Sequence, residues 1–259
     1  MMGWGAYIND YLSDNVTVNN RARAGWSSKT YVDGTKKDNN IVNIEDYYWK
    51  NIKETIKPGD YVFFALEIND SSSSNPDRTT EEEYRANLLT MLNDVKEKGA
   101  TAVYLTNTIQ AGTAGTAQDW AVTMNHTWER RGEVCRQFAE ENGCVSLPLS
   151  KRQQKLYNDT RDAYLAANTD ATEIEACDYV RQKYNLYFPA LTNPVSEGGW
   201  GLSADQIAAH RSSTIRDGVT NDGTHFNKNG ANAVAKLIAT MLAESSSPLG
   251  CYVDLSTIK

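Results

Sequence analysis

Residues 59–70 read GDYVFFALEIND. From Tyr61 to Leu66 the run is apolar without alternation, it opens after a Gly-Asp pair, and it turns polar at Glu67. A strand with one wet face alternates apolar and polar residues, whereas an uninterrupted apolar run between turn residues marks a strand buried on both faces of a parallel sheet. In such sheets functional residues gather at the C-terminal strand ends, which here is the stretch Glu67, Ile68, Asn69 and Asp70.

The flanking segments repeat the same alternation. NVTVNN (15–20) reads as a short strand and IEDYYWKNIKETI (44–56) as an amphipathic helix. TTEEEYRANLLTMLNDVKEKG (79–99) starts with threonine caps and acids, repeats apolar residues at helical spacing and stops at Gly99. Then come a strand, ATAVYLTNT (100–108), a helix, WERRGEVCRQFAEENG (128–143), a strand, CVSLPL (144–149), and a helix, SKRQQKLYNDTRDAYLAA (150–167). Strand and helix in alternation with short connections predict an α/β fold, a doubly wound parallel sheet with helices on both faces as a three-layer sandwich. Residues 184–221 break the rhythm with Pro, Gly, Trp and Tyr, and read as an insertion that either shapes a substrate cleft or decorates the surface. One domain over 1–248 and a tail over 249–259 are expected.

Composition narrows the function. The chain has 259 residues, 40% of them hydrophobic, enough for one substantial core. Its charge is −7 and its 26 Lys and Arg are scattered, so the basic stripe of a nucleic-acid binder is missing. No apolar run is long enough to span a membrane, and MMGWGAYINDYL lacks the basic start and apolar core of a signal peptide. Cys135, Cys144, Cys177 and Cys251 have no CxxC spacing, which argues against a zinc site; Cys135 and Cys144 are either a local disulfide or two separate thiols.

Three stretches at strand ends carry chemistry. In NNRARAGWSSK (19–29), Gly25 lets a backbone N–H approach a ligand closely. In ALEINDSSSS (65–74), the Asn69 amide is a donor for a developing oxyanion. In NDGTHFNKNGA (221–231), Asp222 precedes His225 by three residues, the spacing of a carboxylate that orients a catalytic imidazole.

On these blocks the chain resembles the SGNH (GDSL-type) hydrolases, and within them the rhamnogalacturonan acetylesterase-like carbohydrate esterases. NRARAGWSSKT matches the family's second block, EIND its third and DGTHFNKNGA its fourth, and GWGAYINDYL is similar to the helix that follows its first. The resemblance implies a flavodoxin-like sheet and a serine ester hydrolase that removes acetyl groups from rhamnogalacturonan or xylan through an acyl-enzyme. It makes His225 the general base, Asp222 its orienting acid, and Gly25 and Asn69 oxyanion donors. It implies no metal or organic cofactor, an acetylated polysaccharide or small acyl ester as partner, and usual secretion for the family. Trp26, Glu67 and Asp70 are expected at the substrate, and Lys29 is a further candidate for an anionic polysaccharide.

Two departures stand out. Glu67 occupies the place of the third block's glycine, where a carboxylate would crowd or repel an oxyanion. The Gly-Asp-Ser block that holds the nucleophile is absent, and with it the first strand. Residues upstream could supply both. Alternatively the chain is a noncatalytic glycan-binding relative, or the tail GCYVDLSTIK (250–259) adds a strand that presents Ser256. A strand exchanged between copies would make a homo-oligomer. Ser27 and Ser28 are read as supports of the second block's turn. His126 and His210 read as surface residues.

Overall fold

A computed structural model describes residues 3–36, 42–109, 131–184, 187–189, 221–226, 228–245 and 247–258, with backbone alone for 181–182, 187–189 and 221–225. The chain divides into two compact units. One comprises Asn19–Asn107 and Glu129–Ser150; the other comprises Met1–Val18, Thr108–Trp128 and Lys151–Lys259.

The first of these units carries the parallel sheet, and the fold is α/β as expected. Strands β1 (Tyr61–Phe64), β2 (Thr101–Leu105) and β3 (Val145–Leu147) lie side by side in chain order. Tyr61 pairs with Thr101 and Phe64 with Tyr104, then Val103 with Val145 and Leu105 with Leu147. Parallel neighbours need a crossover, supplied here by helix α4 (Glu81–Glu97) before β2 and α5 (Gly132–Glu141) before β3. Shorter helices α1 (Ser28–Asp33), α2 (Trp49–Thr55) and α3 (Ile68–Ser71) complete the unit. Thr80 caps α4 by accepting from the Glu83 N–H while the Glu83 carboxylate takes the Thr80 N–H, so two of the helix's orphan donors are satisfied reciprocally.

The core follows the two periodicities. Tyr84, Leu88, Met91, Leu92 and Val95, at spacings of three and four on α4, are all buried against Phe64, Ala102, Tyr104 and Phe138. Phe64 stacks on Tyr104, whose ring meets the edge of Phe138. Val103 and Leu105 alternate onto the opposite face of β2 and are also fully buried, as the apolar continuity of that strand requires.

The other unit is mainly helical. It holds α6 (Leu149–Ala167), α7 (Glu173–Tyr184), an antiparallel pair of β4 (Tyr187–Pro189) with β5 (Asn221–Phe226), and α8 (Lys228–Glu244). On α8, Ala231, Val234, Ala235, Ile238, Ala239 and Leu242 form one buried stripe. It contacts two 3-10 turns, Trp4–Ala6 and Ile8–Tyr11, and Tyr11 donates to Asn232 at 2.9 Å. The segment expected as a helix after the first block is thus these two turns.

Three further expectations are corrected. NVTVNN forms no strand: among the described residues it pairs with no other segment, and a strand persists only in a ladder. IEDYYWKNIKETI is broken at Tyr48, whose extended backbone separates a 3-10 turn from α2. The tail adds no strand to the parallel sheet: Pro248–Tyr252 is a 3-10 turn, and Val253 bridges Leu12 once before the chain turns again. Most of the insertion at 184–221, with His210, lies outside the described residues, as does His126. All four cysteines are free thiols.

Leu88 is fully buried under the sheet. Leu88→Ala is expected to cost about 2–5 kcal/mol, read as a lower urea midpoint at unchanged slope.

Candidate active site

The loop leaving residue 19 is shaped by a glycine. Gly25 has φ +74°, a left-handed conformation that a Cβ would strain, although nothing within 4 Å crowds the position. Its carbonyl accepts from the Asn75 amide at 3.1 Å, the residue is exposed, and its N–H is unclaimed among the described residues. Ser27 then caps α1 through a reciprocal box with Thr30 and donates to the Asp77 carbonyl at 2.6 Å.

The polar end after β1 folds into the short α3 and meets that loop through two side chains. Asp70, fully buried, accepts the Ser28 N–H at 3.0 and 3.1 Å, the Ser28 hydroxyl at 2.5 Å and the Thr79 hydroxyl at 3.0 Å. Asn87 of α4 donates to the same Ser28 oxygen at 3.0 Å. Asn69 donates to the Trp26 carbonyl at 3.2 Å. Since an amide carries two N–H donors, this bond fixes the half-buried Asn69 side chain one residue from Gly25 and leaves it a second donor. Gly25 and Asn69, forty-four positions apart, are therefore neighbours.

Burial raises the Asp70 carboxyl above its ordinary 3.8, against the opposing pull of the Ser28 and Thr79 donors and the Arg131 charge. Both Ser27 and Ser28 are buried and committed to these bonds, which makes them supports of the turn.

Other expected site residues stand differently. Trp26 is 3% exposed, stacked on Tyr48 and edge-on to Tyr31, so its ring is core rather than a cleft wall. Asp70 has its oxygens turned into the protein, as above. Glu67 is buried too, and its carboxylate accepts the Asn107 N–H at 2.9 Å, tying the end of β1 to the end of β2. Gly132 lies beside it: a Cβ there would meet the Glu67 carboxylate at 3.4 Å, an ordinary van der Waals contact. Ser256 is exposed, and its N–H and hydroxyl both bond the Asp254 carboxylate two residues before it, at 2.9 and 2.7 Å. Asp222 and His225 lie in strand β5, and their side chains are outside the described residues.

One cavity of this unit gave no sign in the sequence. It has a volume of about 490 Å³ and begins at Asp70 and Ser71, beside Asn69; Arg78, Thr79, Glu83 and Arg131 complete it. The two arginines are 53 positions apart, so no motif announces them. Among the described residues no cluster of three His, Cys, Asp or Glu could hold a metal. No described helix is long and apolar enough to cross a membrane.

Comparison with known proteins agrees with the fold. Residues 1–238 match the model of the GDSL-like lipase/acylhydrolase family. Two curated proteins of Bacillus subtilis (strain 168) are similar along nearly the whole chain. One is the probable rhamnogalacturonan acetylesterase YesY, 26% identical over 250 residues, 95% of this chain and 86% of the relative. The other is the rhamnogalacturonan acetylesterase RhgT, 26% identical over 252 residues, 96% and 84%. Among solved structures, the B. subtilis protein YXIM superposes with a TM-score of 0.57 at 20% identity, over 93% of this chain. The chain spans 50% of that protein's length.

Asp70→Asn sets an N–H donor against the buried Ser28 N–H and is expected to lose about 1–3 kcal/mol of stability. With the folded value above the unfolded one, the folded chain keeps a proton that the unfolded chain has lost. Asp70's contribution therefore falls as pH rises from about 3.8 through the folded value. The gap between wild type and Asp70→Asn should shrink over that rise in urea titrations at stepped pH; a gap that widens contradicts the assignment.

Proposed function

The chain belongs to the GDSL-like lipase/acylhydrolase family, and on that premise we propose that it hydrolyses acetyl esters of a rhamnogalacturonan-type polysaccharide. The reaction class, ester hydrolysis, is that of the family. The substrate is drawn from the two curated relatives, both of which are named for rhamnogalacturonan acetylester cleavage.

The observation that carries the reading is the hydrogen bond from Asn69 to the Trp26 carbonyl, which brings the Asn69 amide beside Gly25. Attack on an ester carbonyl places negative charge on its oxygen, and donors fixed beforehand stabilise that charge without reorganising. The Gly25 N–H and the remaining Asn69 N–H are two such donors, one held by a left-handed turn and the other by a hydrogen bond. His225 acts as general base, removing the proton of the attacking hydroxyl and returning it to the departing sugar oxygen, with Asp222 orienting the ring. The acyl-enzyme then passes its acetyl group to water by the same two steps. The attacking serine is the part of this scheme with no assigned residue, and Ser256 is the candidate to test. A noncatalytic glycan-binding role on the same scaffold is the second reading, favoured by the absence of Gly-Asp-Ser from the sequence.

Acetate release from acetylated rhamnogalacturonan, and hydrolysis of p-nitrophenyl acetate, separate the two. His225→Ala should lower kcat/KM by about 10²–10⁴-fold and Asn69→Ala by about 10²–10³-fold, both without loss of folding. Rates equal to wild type in both variants sink the esterase reading. Labelling with a fluorophosphonate and mapping the adduct names the nucleophile, and an adduct elsewhere removes Ser256.

A further inference from the structure

The cavity beside Asn69 is lined by two carboxylates, Asp70 and Glu83, and two guanidinium groups, Arg78 and Arg131. Their formal charges cancel, but their bonding capacity does not. The Asp70 oxygens are taken by Ser28 and Thr79, and a Glu83 oxygen is taken by the Thr80 N–H. The Asp70 carboxylate is thus spent on the fold, while the exposed Glu83 commits one oxygen to capping α4. Arg131 gives one N–H to the Thr79 carbonyl and stands 5.9 Å from the Tyr84 ring, which fixes its plane. A guanidinium has five N–H donors, and among the described residues one hydrogen bond of this one is recorded. Arg78 is exposed, and among the described residues its side chain has no hydrogen bond or ion pair. The Glu83 carboxyl is held below its ordinary range chiefly by the Thr80 hydrogen bonds, with smaller contributions from the charges of Lys29 and Arg131.

Planar forks of N–H donors match a carboxylate in a bidentate way, and a lysine would not supply this. On a chain of net charge −7, the general field repels a polyanion, so recognition of an acidic polymer must come from a local concentration of cations. A volume of about 490 Å³ lies within the usual range for small-ligand sites. The cavity also starts at the residue after Asn69, within α3. The cavity and the proposed oxyanion donor Asn69 thus share helix α3.

We propose that this cavity is a subsite for a hexuronate of the polysaccharide, with Arg78 and Arg131 gripping its carboxylate. The subsite makes the chain selective for acidic over neutral acetylated polymers, and it rests on the polysaccharide reading above. Arg131 positions its fork through Thr79 and Tyr84, while Arg78 closes over the bound carboxylate from solvent.

Binding, not turnover, tests it. Calorimetric titration of the intact chain with unesterified trigalacturonate is compared with the same trisaccharide reduced at its carboxyls to neutral galactose units. The acidic trisaccharide should bind at least about tenfold more tightly, as expected for a charge-assisted contact. That preference should shrink with added salt. Arg78→Gln, an exposed change that spares the fold, should weaken acidic binding by about tenfold. Arg131→Lys should weaken it comparably, with melting temperature recorded to show that the protein is folded. Equal affinity for the two trisaccharides, no binding of either, or acid-selective binding unchanged in both variants each overturns the proposal. The esterase reading fails separately: a chain that binds trigalacturonate through the arginines but releases no acetate keeps the subsite and loses the reaction. One that hydrolyses p-nitrophenyl acetate but ignores the uronate does the opposite.

Discussion

The buried carboxylate of Asp70 is the tie on which the rest of the candidate site depends. It joins the loop that carries Gly25 to the turn after β1 by accepting both donors of Ser28, and it fixes the start of the next segment through Thr79. A carboxylate buried without partners would cost more than the fold could bear, and its donors would be stranded without it. The two segments consequently close together or not at all. Once they are closed, the neighbouring residues on either side, Trp26 and Asn69, fall within hydrogen-bond reach. The Gly25 loop and Asn69 are thereby held together by buried polar residues.

The same economy explains why several polar residues at the strand ends turn inward. Glu67 bonds the Asn107 N–H across two strand ends, Thr106 and Ser150 exchange hydrogen bonds at 3.0 Å, and Ser27 serves the Asp77 carbonyl. Backbone groups at the ends of parallel strands lose their ladder partners, and side chains make up the deficit. A polar residue at a strand end is therefore as apt to complete the backbone as to face a ligand. Asp70 and Glu67 do the former. At the neighbouring cavity, by contrast, the Arg78 side chain has no hydrogen bond or ion pair among the described residues and Arg131 has a single hydrogen bond.

Much of the fold was legible in the sequence because it rests on local periodicity. The apolar runs of β1 and β2, the helix over Glu81–Glu97 with its Thr80 cap and the α/β alternation are written in consecutive residues. What failed to follow was whatever needed a partner. The Val-Thr-Val of 16–18 has strand propensity but no ladder, and the C-terminal run 250–259 has β-prone residues but only one bridge. Trp26 looked like a cleft residue because it follows Gly25. Its burial depends on Tyr31 and Tyr48, whose positions are not readable from the neighbourhood of Trp26.

By itself, then, the sequence determined the α/β class, the family blocks around Gly25, Asn69, Asp222 and His225, and the absence of a Gly-Asp-Ser among its 259 residues. These are properties of adjacent residues and their spacing. Only the tertiary structure decided which polar groups are spent within the fold and which remain available. Asp70 and Arg131, distant in sequence, acquire opposite roles at one cavity because the buried carboxylate spends its lone pairs on the fold, while among the described residues the guanidinium has a single hydrogen bond.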